Sequence, residues 1–219
     1  MLSLGKKLLA TVHTRVLGSV FQIETHGLFN IPAQRQLLIA SNHSSHLDYG
    51  VLKAALSGHV MGFSALAAAD YFFDRTWKRR LLLPLTDLVP VMRQGSFSLA
   101  LKGAEEAMTN GRSLLIFPEG TRGTTQGLLP FRPGIGYLQR RAQIPILPVY
   151  VSGTSEILPK GQTIPTGRCI EVHVGEAITH EVCDQLVVGK RPYRIRRRCS
   201  SLVLSESPGS KPWLKLLKR

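Results

Sequence analysis

Apolar residues fall in short blocks along this chain, and each block ends abruptly in polar residues or glycine. Leu37-Leu38-Ile39-Ala40 stops at Ser41-Asn42-His43-Ser44-Ser45-His46. Leu47, Val51, Leu52 and Ala55 then recur at helical spacing, so a strand, a polar turn and a helix over 48–56 are predicted. Val60–Ala65 reads as a strand, and Leu88–Arg93 as another with arginine at its C-terminal end. Helical periodicity runs through Ser96–Met108 (Leu99, Ala100, Ala104, Ala107) until Asn110-Gly111 stops it. Ser113–Phe117 is nearly all apolar, as strands buried on both faces of a parallel sheet are. A short helix over 134–142, a buried strand over Pro145–Val151 and an edge strand over Cys169–Val174 complete the pattern. Residues 1–23 read as a helix of mixed character and Glu24–Pro32 as a connector. The aromatic group Tyr71, Phe72, Phe73 and Trp77 reads most simply as core, with an exposed face bordering an apolar chain as the alternative. Strands alternating with helices predict a single α/β domain, with a central, mostly parallel or mixed sheet flanked by helices. Its expected division is an amphipathic N-terminal helix over 1–24, the folded domain over 25–180 and a basic tail over 181–219.

In α/β proteins chemistry collects in the loops that follow strands. The loop after Ala40 carries His43 and, five residues on, Asp48. At that spacing the chain can curl until the carboxylate meets one imidazole nitrogen while the other faces a substrate. Such a carboxylate fixes the tautomer and stabilises the imidazolium formed when the ring takes a proton. No serine or cysteine nucleophile elbow follows, so the proton would come from a substrate alcohol. Two other readings suit the same residues. Ser/Asn/Asp-rich turns often only cap helices, and His43, His46 and Asp48 could be three ligands of a metal ion.

A second polar turn follows Leu114–Phe117: Pro118-Glu119-Gly120-Thr121-Arg122-Gly123. Proline ends the strand and the two glycines let the backbone turn closely. Arg122 offers a planar fork of donors suited to phosphate. Glu119 can accept from a polyol hydroxyl or hold an arginine, and Thr121 can cap or meet phosphate. A surface Glu–Arg pair on a tight turn is the plain alternative.

Charge changes the picture further. The 219 residues carry a formal net charge of +14. From Lys190 onward ten Lys/Arg face one acid, Glu206, which puts +9 in the tail and leaves +5 for residues 1–189. Trp213, Leu214, Leu216 and Leu217 interleave with the last lysines, a mixture that suits an anionic lipid surface. No stretch is long and apolar enough to span a bilayer. Three widely spaced cysteines, Cys169, Cys183 and Cys199, form no metal or redox pair; they favour a reducing cytosol and are assigned to packing.

With both turns in order, the chain resembles the glycerolipid acyltransferases, the superfamily of lysophosphatidic acid and glycerol-3-phosphate acyltransferases. Asn42–Asp48 is similar to that family's first block, Phe117–Arg122 to its third and Ile146-Leu147-Pro148-Val149 to its fourth. Leu88–Arg93 is similar to the second block, although Asp87 stands where a glycine is common, and Met92 and Gln94 replace its usual acidic residue and glycine. The resemblance runs from about Gly27 to Ile178. It implies His43 as general base and Asp48 as its partner. It implies acceptor contacts from Asn42, Ser45, Arg93, Phe117, Pro118, Glu119, Gly120, Thr121 and Arg122, and a donor-side or structural role for Pro148. The implied reaction moves a fatty acyl group from acyl-CoA or acyl carrier protein to a lysophospholipid hydroxyl, without a metal or other cofactor. The acceptor is expected to be lysophosphatidic acid, with another lysophospholipid, glycerol 3-phosphate or a lyso-aminolipid as alternatives. The expected location is cytoplasmic, peripheral on the inner face of the membrane, and no nucleic-acid partner is expected. Two readings outside the family stay open: a metal-dependent hydrolase, and a non-catalytic basic module that binds membrane or nucleic acid.

Overall fold

The computed structural model describes residues 12, 17–33, 36–68, 87–91, 97–123, 128–132, 134–159, 161–162 and 164–181. Seven strands form one sheet: β1 (Gln22–His26), β2 (Leu38–Ser41), β3 (Phe63–Ala68), β4 (Leu88–Val91), β5 (Ser113–Ile116), β6 (Ile146–Ser152) and β7 (Cys169–Val174). Their order across the sheet is β1-β7-β6-β2-β5-β3-β4. The block from β6 to β4 is parallel; β7 runs antiparallel to β6, and β1 runs parallel to β7. Besides the 3₁₀ turn Leu28–Asn30 and helical residues at 17–20, the described helices are α1 (Asp48–Leu56), α2 (Phe97–Thr109), α3 (Gly134–Ala142) and the single turn α4 (Thr154–Ile157).

The all-apolar strand blocks are explained by burial on both sides. Successive side chains of a strand point to opposite faces. Leu38, Ala40, Leu114, Ile116 and Ile146 therefore meet α2 and α3 through Leu101, Ala104, Met108, Ile135 and Leu138. Leu37, Ile39, Leu115, Leu147 and Val149 meet α1 on the other face through Val51, Leu52 and Leu56. The connections after β2 and β5, which are neighbours, leave to opposite faces: α1 covers one and α3 the other. Where adjacent strands send their chains to opposite sides, a crevice opens beyond their carboxyl ends. The two polar turns, 42–47 and 117–123, stand there.

Several expectations are corrected. Gln22–His26 is a strand, not the end of a helix and the start of a connector. Its alternation is real but weak, because polar Gln22, Glu24 and His26 face solvent and only Ile23 and Thr25 turn inward. Adding this strand moves Cys169–Val174 from the edge of the sheet to a place between β6 and β1. β3 begins at Phe63 rather than Val60. Cys169 is an exposed free thiol, not a packing residue. The aromatic group at 71–77, Arg93, Cys183, Cys199, the basic tail and most of the N-terminal segment lie outside the described residues.

Asp87, where the resemblance leads one to expect glycine, joins two elements. It accepts from Lys53 Nζ of α1 at 3.1 Å and from an Arg112 Nη at 2.7 Å, just before β5. Arg112 also donates to the Phe63 carbonyl at 2.8 Å and to Ser64 Oγ at 2.5 Å. One carboxylate therefore offsets two cations at the junction of α1, β3 and β5. Asp87→Asn should lower unfolding free energy by about 2 kcal/mol in urea titration, because two charge-assisted bonds are lost while both cations remain. Unchanged stability would show that the pair only decorates the surface.

Candidate active site

His43 follows β2 by two residues and is held from four sides. Its Nδ1 lies 2.9 Å from Asp48 Oδ2. Its backbone N–H donates to Glu119 Oε1 at 2.8 Å, and its carbonyl accepts from the Gly123 N–H at 2.7 Å. Its ring stacks on Phe117, with centroids 4.0 Å apart and planes 16° from parallel. The second turn is thus the scaffold of the first. With Nδ1–H donated to a carboxylate, the lone pair of the neutral ring sits on Nε2, the nitrogen on the far side from Asp48. The side chain keeps 23% of its surface exposed.

Asp48, the first residue of α1, is fully buried. A carboxylate taken out of water must recover its hydrogen bonds from the protein. Oδ2 accepts from the Ser44 and Ser45 N–H groups at 2.7 and 2.9 Å as well as from His43. Oδ1 accepts from the Thr154 hydroxyl at 2.5 Å. The curl expected from the five-residue spacing is therefore made by the Ser44–Ser45 backbone wrapping the carboxylate.

The remaining residues singled out in the sequence divide into two groups. Asn42 is buried and acts as a surrogate peptide: its Nδ2 donates to the Val151 carbonyl and its Oδ1 accepts the Val151 N–H, both at 2.8 Å. This carries the β2–β6 ladder one step past its last backbone pair, Ser41 with Val149. Ser45 is buried and donates from Oγ to the Leu158 carbonyl at 2.9 Å. Glu119 is 4% exposed and its oxygens take the backbone N–H groups of His43 and, at 2.9 Å, Leu129. Burial pushes its carboxyl above the usual range, against the pull of those two donors. Pro118 is buried and accepts from the Arg132 N–H at 2.7 Å. Gly120 has φ +72°, a left-handed conformation that favours glycine, and the Arg132 side chain lies against its open face. Pro148 lies inside β6, opposite Ala40, away from the loops; its carbonyl points toward β7 and accepts from Gly175 at 2.9 Å.

Solvent-facing groups form the other set. Thr121 is exposed and Arg122 half-buried. Arg122 lies close enough to His46 to help push that imidazole below its ordinary value, after the larger effect of burial. His43, His46 and Asp48 do not form a metal centre: among the described residues no group of three His, Cys, Asp or Glu converges on a common point. Asp48 has its acceptor sites filled by protein donors. Two residues at the site went unseen in the sequence, Thr154 and Arg132. Thr154 belongs to the turn after β6, and only the β6–β2 pairing brings it to a residue 106 positions earlier.

The family model described as Acyltransferase matches residues 22–152, more than half of the chain. Among curated proteins, the 1-acyl-sn-glycerol-3-phosphate acyltransferase of Saccharomyces cerevisiae is 27% identical over 179 residues, 75% of this chain and 54% of that protein. The human 1-acyl-sn-glycerol-3-phosphate acyltransferase beta is 31% identical over 147 residues, 66% of this chain and 51% of its own. The chain spans about half the length of these relatives. The crystal structure of the 1-acyl-sn-glycerophosphate (LPA) acyltransferase PlsC from Thermotoga maritima superposes with a TM-score of 0.71, covering 97% of this chain and 79% of that one at 22% identity, and shares the fold. The expected sheet, the two turns in their expected order and the extent of the family match agree: this chain belongs to the acyltransferase family.

Proposed function

We propose that the protein transfers a fatty acyl group from a thioester, acyl-CoA or acyl carrier protein, to the free hydroxyl of lysophosphatidic acid. The observation that carries this reading is the His43–Asp48 pair at the mouth of the β2/β5 crevice, with the imidazole partly exposed to solvent. Relatives named for acylation of 1-acyl-sn-glycerol 3-phosphate support the choice of acceptor.

The chemistry then follows from the geometry. Nε2 of His43 takes the proton as the hydroxyl oxygen attacks the thioester carbonyl. Asp48, ionised and held by four donors, stabilises the imidazolium that results. The C–S bond breaks, the proton passes from the imidazolium to the departing sulfur, and the ester and thiol leave. Neither redox chemistry nor a covalent enzyme intermediate is needed. Arg122, on the rim of the crevice, holds the acceptor phosphate, with Arg93 as its expected companion. Anchoring that end converts the attack into a local event. Phe117, Glu119 and Gly120 serve by fixing His43 and the turn. Among the described residues no helix is long and apolar enough to cross a membrane. The reading places the protein on an anionic leaflet through its basic tail and N-terminal segment.

His43→Ala should reduce acyl transfer from a long-chain acyl-CoA to lysophosphatidic acid by ~10²- to 10⁴-fold, with chelator making no difference to the parent. A parent that transfers nothing to any lysolipid from either donor, or a chelator-sensitive hydrolysis, would sink the reading. Arg122→Ala should raise KM for lysophosphatidic acid by about ten-fold or more and leave KM for the acyl donor unchanged. An effect confined to the donor would move the arginine to the CoA side. Glu119→Gln should impair the protein more than its isosteric shape suggests, because one amide NH₂ would then face a backbone N–H of His43 or Leu129. Thermal melting and activity, measured together, should both fall.

A further inference from the structure

Thr154 has no counterpart in the site as the sequence describes it, and it lies two residues beyond the span that matches the family model. It is fully buried, and its hydroxyl stands 2.5 Å from Asp48 Oδ1 and 3.2 Å from Ser44 Oγ. An ionised carboxylate only accepts, so the single threonine hydrogen goes to Asp48. The Ser44 hydroxyl must then donate to Thr154. The direction of the chain is fixed: Ser44 to Thr154 to Asp48, with His43 on the other carboxylate oxygen. Hydrogen bonds in such a chain polarise one another.

From this we propose that Thr154 is a positioning residue for acyl transfer: it holds the second oxygen of Asp48, and so sets both the orientation and the basicity of the carboxylate that serves His43. The proposal rests on the acyltransferase reading for its kinetic arm only. The local fold is built to deliver this hydroxyl. Asn42 clamps Val151 and fixes the end of β6. Gly153 then turns at φ +85°, where a Cβ would stand 2.4 Å from the Cys169 carbonyl, so only glycine fits between β6 and β7. The next residue is Thr154, and α4 ends at Ile157, just before Leu158, whose carbonyl takes the Ser45 hydroxyl. The turn after β6 thus grips the catalytic turn at three points: the Asp48 carboxylate, the Ser44 hydroxyl and the Ser45 hydroxyl.

The direction of the effect follows from the acceptor. A donor on Oδ1 draws electron density from the carboxylate; without it, Asp48 holds the imidazolium more strongly. His43 then stays protonated to higher pH and is a less available base. The other charged or titratable groups about this ring are Glu119 from the turn after β5, and His46 and Arg122 from the rim. They are the same in every variant, so a difference between variants reports Thr154.

Thr154→Val removes the hydroxyl at nearly constant volume, and Thr154→Ser keeps it. For Val, kcat should fall by about ten- to a hundred-fold with KM for both substrates within about two-fold, as expected for one lost charge-assisted bond. The acidic limb of kcat/KM should move to higher pH. Ser should restore both. In the parent protein without substrates, ¹⁵N-edited NMR of the His43 ring should show an Nδ1–H bonded to carboxylate, whose resonance moves in Val and returns in Ser. A Val variant that melts earlier but keeps its pH limb, its kcat and its His43 resonance would reduce Thr154 to a packing residue and overturn the proposal. If the parent shows no acyl transfer, the NMR comparison still decides the role of Thr154, and the failure falls on the proposed reaction alone.

Discussion

An ionised carboxylate with no exposed surface sits at the start of α1, and the architecture of the site follows from supplying it with donors. Left alone there, Asp48 would cost several kcal/mol. Two peptide N–H groups come from its own turn, one N–H from His43 and one hydroxyl from a turn 106 residues away. Each donor is at the same time a positional instruction. The peptides force the tight curl after β2, the imidazole is aimed by the bond it gives, and the turn after β6 is drawn across the end of β2. What looks like a catalytic pair is the exposed end of a buried electrostatic assembly.

The same logic explains why the second turn need not touch the reaction everywhere to matter. Glu119 is also a buried carboxylate, and it spends its oxygens on the backbone of His43 and of Leu129. The cost appears as a carboxyl pushed upward by burial. That cost is tolerated because the two bonds tie β2's turn to β5's and hold Phe117 flat against the imidazole. Two buried acids, one on the histidine ring and one on its backbone, leave His43 almost no freedom. The ring is therefore pre-oriented before any substrate arrives, which is what the proposed role of a base asks of it.

How much of this was legible in the sequence depends on the range over which each feature is encoded. The helix over 48–56 and the blocks feeding both turns were plain, because period and burial are local properties. The His43–Asp48 contact was legible for the same reason: five residues suffice to close it. β1 was missed because three of its five side chains are polar and face water, so no apolar run announces it. Missing it turned β7 into an edge. Glu119 could be found but not its task, since one residue type serves equally as an acceptor for a polyol and for a peptide N–H. Thr154 was invisible in principle: threonine after glycine signals a turn, and only the β2–β6 register tells which carboxylate it will meet.

Asp87 shows what a departure from a family pattern can mean physically. A glycine there would leave Lys53 and Arg112 without their shared acceptor. The carboxylate is compatible with this chain because both cations are present, one at the end of α1 and one just before β5. The consequence reaches the site through α1 itself. Asp48 stands at the first residue of that helix and Lys53 in its last turn, so the ion group fixes one end while the donors about Asp48 fix the other. α1 is only nine residues long, so the two anchors lie five residues apart on it. The ion group about Asp87 and the donors about Asp48 thus hold two places on one short helix.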